Sequence, residues 1–593
     1  MLRPLFLTAL LAFGVQALPA EIIERQSPGC THSATSRDCW DATTNINTDY
    51  STTWPNTGIT REVDGSFEGS IVYWLTLQNV TLAPDGFART MLTFNGSYPG
   101  PPITANWGDL VKIHVTNNLT NNGRVNCNFF ITSIHWHGVR QLNTFQNDGV
   151  NGVTQCPLSP GTTQTYTWRA TQYGTSWYHS HFAVQYPEGL AGPIVINGPA
   201  SANYDVDLGA VMVTEWYHNT AFSTWHYAET VGLPQAQNGL IHGQNVFGSG
   251  GYRWNTTFVP GKKYRFRFIN TGVESAFRLS IDDHQFKVIA ADFVPITPYT
   301  VDSILIGDGE RYDVIVEAKS NSTANLKNYW LRATVQTACS TGVDNPLNIK
   351  GIIRYEGGPT SGDPTTTGVA IPQNCADEPI SSLVPVVQKP VPQIDLSGAQ
   401  NLFWGLNVSP VIRWTLGGVS TRVNWSHPTL QLLQSTGTYP TEYNIIELPE
   451  HKWYYFVIEE TTVRFAHPIH LHGHDFHILY QGNGTFNATE ASLGARWSNP
   501  PRRDVAMLPG QGYMVIAFEA DNPGIWVLHC HIAWHVSAGF ALQFLERQGD
   551  ITGVDNSTLG EICYNWNTYE TTATHFQEDS GLKKRGLEFD SVM

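Results

Sequence analysis

The amino-acid sequence predicts an all-β protein made of several β-sandwiches, and three observations carry that prediction. First, apolar residues recur with period two. Tyr264, Phe266 and Phe268 alternate with Lys263, Arg265 and Arg267; Val111, Ile113 and Val115 alternate with Lys112 and His114; Tyr312, Val314 and Val316 alternate with Arg311 and Asp313. Such runs read as strands with one buried face. Second, turn-forming runs such as Asp521-Asn522-Pro523-Gly524 and Pro260-Gly261 punctuate them. Third, no long helical pattern is visible beyond the first residues. At roughly 150 residues per domain, 593 residues make three to four domains. Three is preferred, because sandwich domains often run long.

Charged residues are 14% of the chain, against roughly 25% in ordinary domains. Together with abundant aromatics this predicts large packed cores rather than disorder. A net charge of −16 argues against nucleic-acid or anionic-membrane partners. The N-terminus has Arg3, a short apolar run over 5–15, and small residues ending at Ala20. That is the pattern of a signal peptide over 1–20, too short to span a bilayer, so a secreted, soluble protein is expected. Asn-x-Ser/Thr triplets at Asn79, Asn95, Asn118, Asn255, Asn321, Asn407, Asn424, Asn483, Asn487 and Asn556 are candidate glycosylation sites on that route. Eight cysteines are present, and an oxidising compartment favours their pairing.

One internal repeat organises the chemistry. Ile134-His135-Trp136-His137-Gly138 recurs as Ile469-His470-Leu471-His472-Gly473. Downstream, Gly174, Trp177 and His179-Ser180-His181 recur as Gly524, Trp526 and His529-Cys530-His531. Two related domains therefore stand at the chain's ends, with linkers expected around 197–202 and from 357–372 towards Pro392. On a strand, His-x-His sets both rings on one face. Eight such histidines exceed the needs of one tetrahedral site and imply a multinuclear cluster. Imidazole alone does not choose between copper, iron, nickel and zinc.

The second copy adds a thiolate. His467, Cys530 and His535 make two imidazoles and a sulfur, the ligand set of a blue-copper electron-transfer site. In the first copy Thr132, Ser180 and Gln185 stand at the aligned positions, so all three ligands are missing together. Along the strand Cys530 faces one side while His529 and His531 face the other. A one-electron site is thus one residue away from the cluster.

These motifs, with Trp177-Tyr178-His179-Ser180-His181 and the run from His529 to Phe540, resemble the fungal laccases, in particular the ascomycete branch of the multicopper oxidases. The resemblance covers nearly all of the chain beyond the leader. It implies three cupredoxin-like domains, over 61–200, 201–372 and 373–582 (the last with a linker), after an N-terminal extension over 21–60. It implies four copper ions. A type 1 copper would bind His467, Cys530 and His535, and a type 2 copper His135 and His470. The type 3 pair would bind His137, His179 and His531, and His181, His472 and His529. Small phenolic or related aromatic donors would deliver single electrons at the edge of His535, and dioxygen would be reduced to water. A single chain without nucleic-acid or membrane partners is expected. A biosynthetic phenol-coupling oxidase, or a ferrous or cuprous oxidase, would share the coppers; an oxygen carrier or copper store would not need the Cys530 site.

Further expectations follow from the resemblance. Phe540 takes the place where some relatives have an axial Met, so the type 1 site would lack an axial ligand. Asp148 matches an acidic residue beside the cluster that could relay protons. The loop expected to carry a substrate-binding carboxylate, 238–252, has His242 but no Asp or Glu, which leaves Glu229 or another residue as a substitute; His242 reads as a loop residue. Disulfides Cys30–Cys39, Cys156–Cys563 and Cys339–Cys375 are implied, leaving Cys127 as a free thiol. His474 reads as structural. Asp579-Ser580-Gly581-Leu582, followed by Lys583-Lys584-Arg585, resembles a processed tail, with cleavage after Leu582 and a propeptide over 583–593.

Overall fold

A computed structural model describes residues 33–37, 71–120, 130–320, 322, 326–408, 411–572, 576–578 and 581–583. The leader, Cys30, Cys39, Cys127, Asn321 and the tail beyond Lys583 lie outside them. Six large sheets follow one another as three pairs. The first pair has four strands each, ordered around Ile71–Leu82 and Gly174–Ser180; the second and third pairs each have a six-stranded and a five-stranded sheet. In the first pair both inner faces close on one core that includes Trp136, Tyr166, Trp168 and Tyr178. This follows from alternation: Leu110–Asn117 buries every second residue.

Two of the alternating strands depart from the one-faced expectation. Lys263–Asn270 and Arg311–Glu317 are buried on both faces for most of their length. Arg267, Arg311 and Asp313 on these strands face the first domain rather than water. Arg267 Nη1 donates to Thr175 Oγ1 at 3.0 Å, Thr175 Oγ1 donates to Asp313 Oδ1 at 2.6 Å, and Arg267 pairs with Asp207 at 2.7 Å. Paired charge can line an interdomain contact where lone charge cannot.

Helix is also more extensive than the sequence pattern suggests. Asn556–Thr572 forms a 17-residue helix. Its buried face is Leu559, Ile562, Cys563 and Trp566, the i, i+3, i+4, i+7 set. Asp555 caps its start, accepting from Ser557 N and Thr558 N, each at 3.0 Å. The Asn- and Thr-rich outer face hides this periodicity from a composition-led reading. Cys563 is bonded to Cys156 across 407 residues, fastening the helix to the first domain. Cys339 is bonded to Cys375. No described helix is long and apolar enough to cross a membrane. Of the described sequon asparagines, Asn79 is half-buried and the others are exposed.

The repeat is reproduced in strand register. His135 pairs with His179 as His470 pairs with His529, and Ile134 pairs with Ser180 as Ile469 pairs with Cys530.

Candidate metal centre

Four strands, Ile134–His137, Gly174–Ser180, His467–Leu471 and Gly524–Cys530, bring the repeat histidines together between the first and third domains. Rings from the two domains stack in crossed pairs, His135 on His472 and His137 on His470, each at 3.9 Å. Their nitrogens fall into overlapping groups whose ligand atoms lie within 4.8 Å of one another: His135, His137 and His179; His135, His470 and His472; His181, His472 and His529. Burial, with the neighbouring imidazoles second, pushes His470 and His472 well below the ordinary histidine range. Burial likewise brings His529 down to about 4. These rings are therefore neutral and carry lone pairs.

Outer contacts decide which nitrogen each ring presents. The Nδ1–H groups of His135, His470 and His529 donate to the carbonyls of Asp148, Asp504 and Cys530 at 2.9, 2.8 and 2.8 Å. His472 Nδ1 donates to Asp148 Oδ2 at 2.7 Å. The Nε2 atoms of His135, His179 and His470 are buried without a hydrogen-bond partner in the protein. Orphaned buried acceptors are costly unless something binds them, and inward-facing imidazoles fit copper.

A separate group, apart from the cluster, is His467, Cys530 and His535. Cys530 Sγ lies 3.7 Å from His467 Nδ1 and 3.6 Å from His535 Nδ1. A first-row metal about 2.3 Å from sulfur and about 2.0 Å from each nitrogen, in a trigonal plane, would separate S and N by about 3.7 Å. Burial pushes the Cys530 thiol well up, so the thiolate form calls for a bound cation. Burial also brings His467 down to about 3. His467 is 0% exposed and His535 3%, so both are buried and His535 is the less completely enclosed of the two.

In the first domain the corresponding residues are joined to one another. The hydroxyls of Thr132 and Ser180 donate to Gln185 Oε1 at 2.7 and 2.5 Å. Hydrogen bonds occupy the place where the third domain has two imidazoles and a thiol.

Around the Cys530 site Phe540 is fully buried and lies parallel to Trp414 at 5.6 Å and against His467 at 5.4 Å. Trp414 also covers His535 at 4.1 Å. Phe540 O accepts from Cys530 N, and Phe540 N donates to His535 O, both at 3.1 Å. The 238–252 segment packs elsewhere: Asn238 Nδ2 donates to Asp85 Oδ2 at 3.0 Å, and His242, at φ +47°, donates its N–H to Met212 O. Glu229 instead meets the Trp414 strand, pairing with Arg413 at 3.2 Å and accepting at its carbonyl from Ile412 N at 2.7 Å. His474 pairs with Glu546 at 2.7 Å.

The sequence reading missed Asp504 and Arg311. Asp504 Oδ1 is 3.2 Å from His137 Nε2, and Arg311 holds both oxygens of Asp504, one at 2.6 Å. Their traces in the sequence are weak: Asp148 follows its His-x-His by a short turn, whereas Asp504 lies 34 residues beyond His470. The pair also explains Gly138. At φ +71°, a Cβ there would stand 2.5 Å from both Arg311 Nη2 and Asp504 Oδ2.

A cavity of about 110 Å³ reaches the cluster, lined by His179, His181, His529 and His531 and walled by apolar residues such as Val153 and Trp425.

The family described as multicopper oxidase matches residues 76–201, 207–358 and 411–550. The chain is 46% identical to Laccase-2 of Botryotinia fuckeliana over 96% of its length and 97% of that protein. It is 45% identical to Oxidoreductase OpS5 of Beauveria bassiana over 95% of each. The laccase structure from Botrytis aclada superposes with a TM-score of 0.85 at 44% identity, covering 93% of this chain and all of that one. The chain belongs to the multicopper oxidase family, alongside the fungal laccases.

Proposed function

We propose that this laccase draws single electrons from small phenolic and related aromatic donors at the Cys530 site and delivers them to dioxygen at the histidine cluster. The observation that carries the reading is the juxtaposition of the two sites: Cys530, grouped with His467 and His535, is flanked in sequence by His529 and His531, which line the cluster. The cofactors are four copper ions. When bound they supply a one-electron acceptor at Cys530 and the four-electron reduction of dioxygen at the cluster. His467, Cys530 and His535 would hold type 1 copper, and His135 and His470 type 2. His137, His179 and His531 would hold one type 3 ion, and His181, His472 and His529 the other.

The remaining roles belong to the chain's own groups. His535, the less enclosed of the two imidazoles at the Cys530 site, receives the donor's electron. Trp414 covers one face of that ring and gives the rim an aromatic wall for a planar donor. Asp148, fully buried and bonded to His472, stands where protons are consumed and can pass them on. The apolar cavity ending on four cluster histidines suits a small neutral gas. Export as a glycosylated single chain belongs to the same reading, supported by the leader-like N-terminus and the exposed sequons. An iron or cuprous donor has less support, because the Glu229 carboxylate beside the Trp414 strand is already held by Arg413.

Oxygen uptake by the copper-loaded protein, compared across a phenol, ferrous iron and ascorbate at matched concentration, tests this. Fastest turnover with the phenol is expected. Preferential oxidation of ferrous iron would overturn the donor assignment.

A further inference from the structure

Two carboxylates grip the His-x-His strands, and they do so in a crossed arrangement. Asp148 accepts from His135 through its carbonyl at 2.9 Å, and from His472 of the other domain through its carboxylate at 2.7 Å. Asp504 accepts from His470 through its carbonyl at 2.8 Å, and its carboxylate stands 3.2 Å from His137 of the other domain. Exchanging the two domains maps one set of contacts onto the other. The stacked ring pairs obey the same exchange, His135 with His472 and His137 with His470.

We propose that Asp504, clamped by Arg311, is a positioning residue for the copper cluster and the counterpart of Asp148 in the other half of the repeat. The inference rests on the copper-cluster reading above. The clamp comes from the domain that supplies none of the cluster histidines. Arg311 is fully buried and takes both oxygens of Asp504 with its two terminal nitrogens. Its Nε donates to Thr175 O at 3.1 Å and its Nη1 to Gly309 O at 3.2 Å. The fork is thus fixed at three points, a geometry open to a guanidinium and closed to a single ammonium. Gly309 completes the wall: at φ +84°, a Cβ there would stand 2.9 Å from His531 and 3.1 Å from His137.

The clamp breaks the symmetry of the two halves in one respect. His472 is held at Nδ1, which leaves Nε2 for the cluster. His137 approaches Asp504 with Nε2 at 3.2 Å, an ion-pair distance and not a formed hydrogen bond, and its Nδ1 is buried without a protein partner. The two equivalent rings therefore present opposite nitrogens, and Asp504 sets the orientation of one of them.

The test compares Asp504→Asn and Arg311→Lys with the unmodified protein, reading copper per chain and the paramagnetic and optical signatures of the cluster. The blue thiolate band serves as an independent report on folding and on the Cys530 site. Expected are a retained blue band with cluster copper held about 10- to 100-fold more weakly and an altered cluster signature. Arg311→Lys, which keeps the charge but loses the fork, should fall between the other two. Four coppers with an unchanged cluster signature in either blue variant would overturn the proposal. If Asp504→Asn yields no folded protein, Arg311→Lys decides by the same readings, with Arg311→Gln beside it. Failure of the copper-cluster reading itself would show differently, as an unmodified protein that binds fewer than four coppers.

Discussion

Phe540 is the residue from which a property of the proposed type 1 site is expected to follow by packing alone. Its ring is packed between Trp414 and His467 and its backbone is tied to both Cys530 and His535. It offers no lone pair, so the oxidised copper would gain nothing from an axial donor, and the site should be a comparatively strong oxidant. Phe540→Met should lower the type 1 potential in a redox titration; an unchanged potential would show that the axial position is not reached. Asp148 acts by hydrogen bonding instead. Asp148→Asn keeps the shape but cannot receive a proton. Reoxidation of the reduced protein by dioxygen should slow by about 10- to 100-fold while the blue colour remains. Stopped-flow reoxidation at the wild-type rate would remove Asp148 from proton handling.

At the scale of elements, what the sequence makes legible is local. The two rings of each His-x-His pair sit on one strand, so spacing alone identifies His135 with His137 and His470 with His472. The absence of Thr132, Ser180 and Gln185 from any metal set was likewise readable from alignment, and the fold adds that they hydrogen-bond to one another. What remained illegible depends on segments distant in the chain. Asp504 meets His137 across more than half the sequence, and Arg311 comes from the second domain, which supplies neither. The alternation that marked Lys263–Asn270 as one-faced could not show that its charged face is buried against the first domain. The Asn556–Thr572 helix was likewise hidden by its polar outer face. That helix is fastened by Cys156–Cys563. Replacing both cysteines with serine should cost about 2–5 kcal/mol, seen as a lower midpoint in chemical unfolding. An unmoved midpoint would mean that the helix is held by its apolar face alone.

Across the whole molecule, the second domain is a wall and a spacer for the site between the other two. It also buries a group of acids, Glu215, Glu274 and Asp308, whose carboxyls burial pushes upward. Glu274 rises from an ordinary 4.5 to about 8. Between these values the folded chain holds a proton that the unfolded chain has lost, so folding takes up a proton and stability falls as pH rises through that window. Thermal unfolding should show this loss between pH 4.5 and about 8, and Glu274→Gln should flatten it; an equally steep profile in the variant would assign the loss elsewhere.

On the proposed route, electrons pass from donor to cluster through Cys530. The most direct test is Cys530→Ser, which installs the residue that the first domain already carries at the paired position, Ser180. Oxygen uptake with a phenol should fall by more than about 100-fold, and the blue band should vanish, while the copper and spectroscopic signature of the histidine cluster remain. Sustained phenol-driven oxygen uptake by that variant, with its cluster intact, would contradict the electron route from Cys530 to His529 and His531.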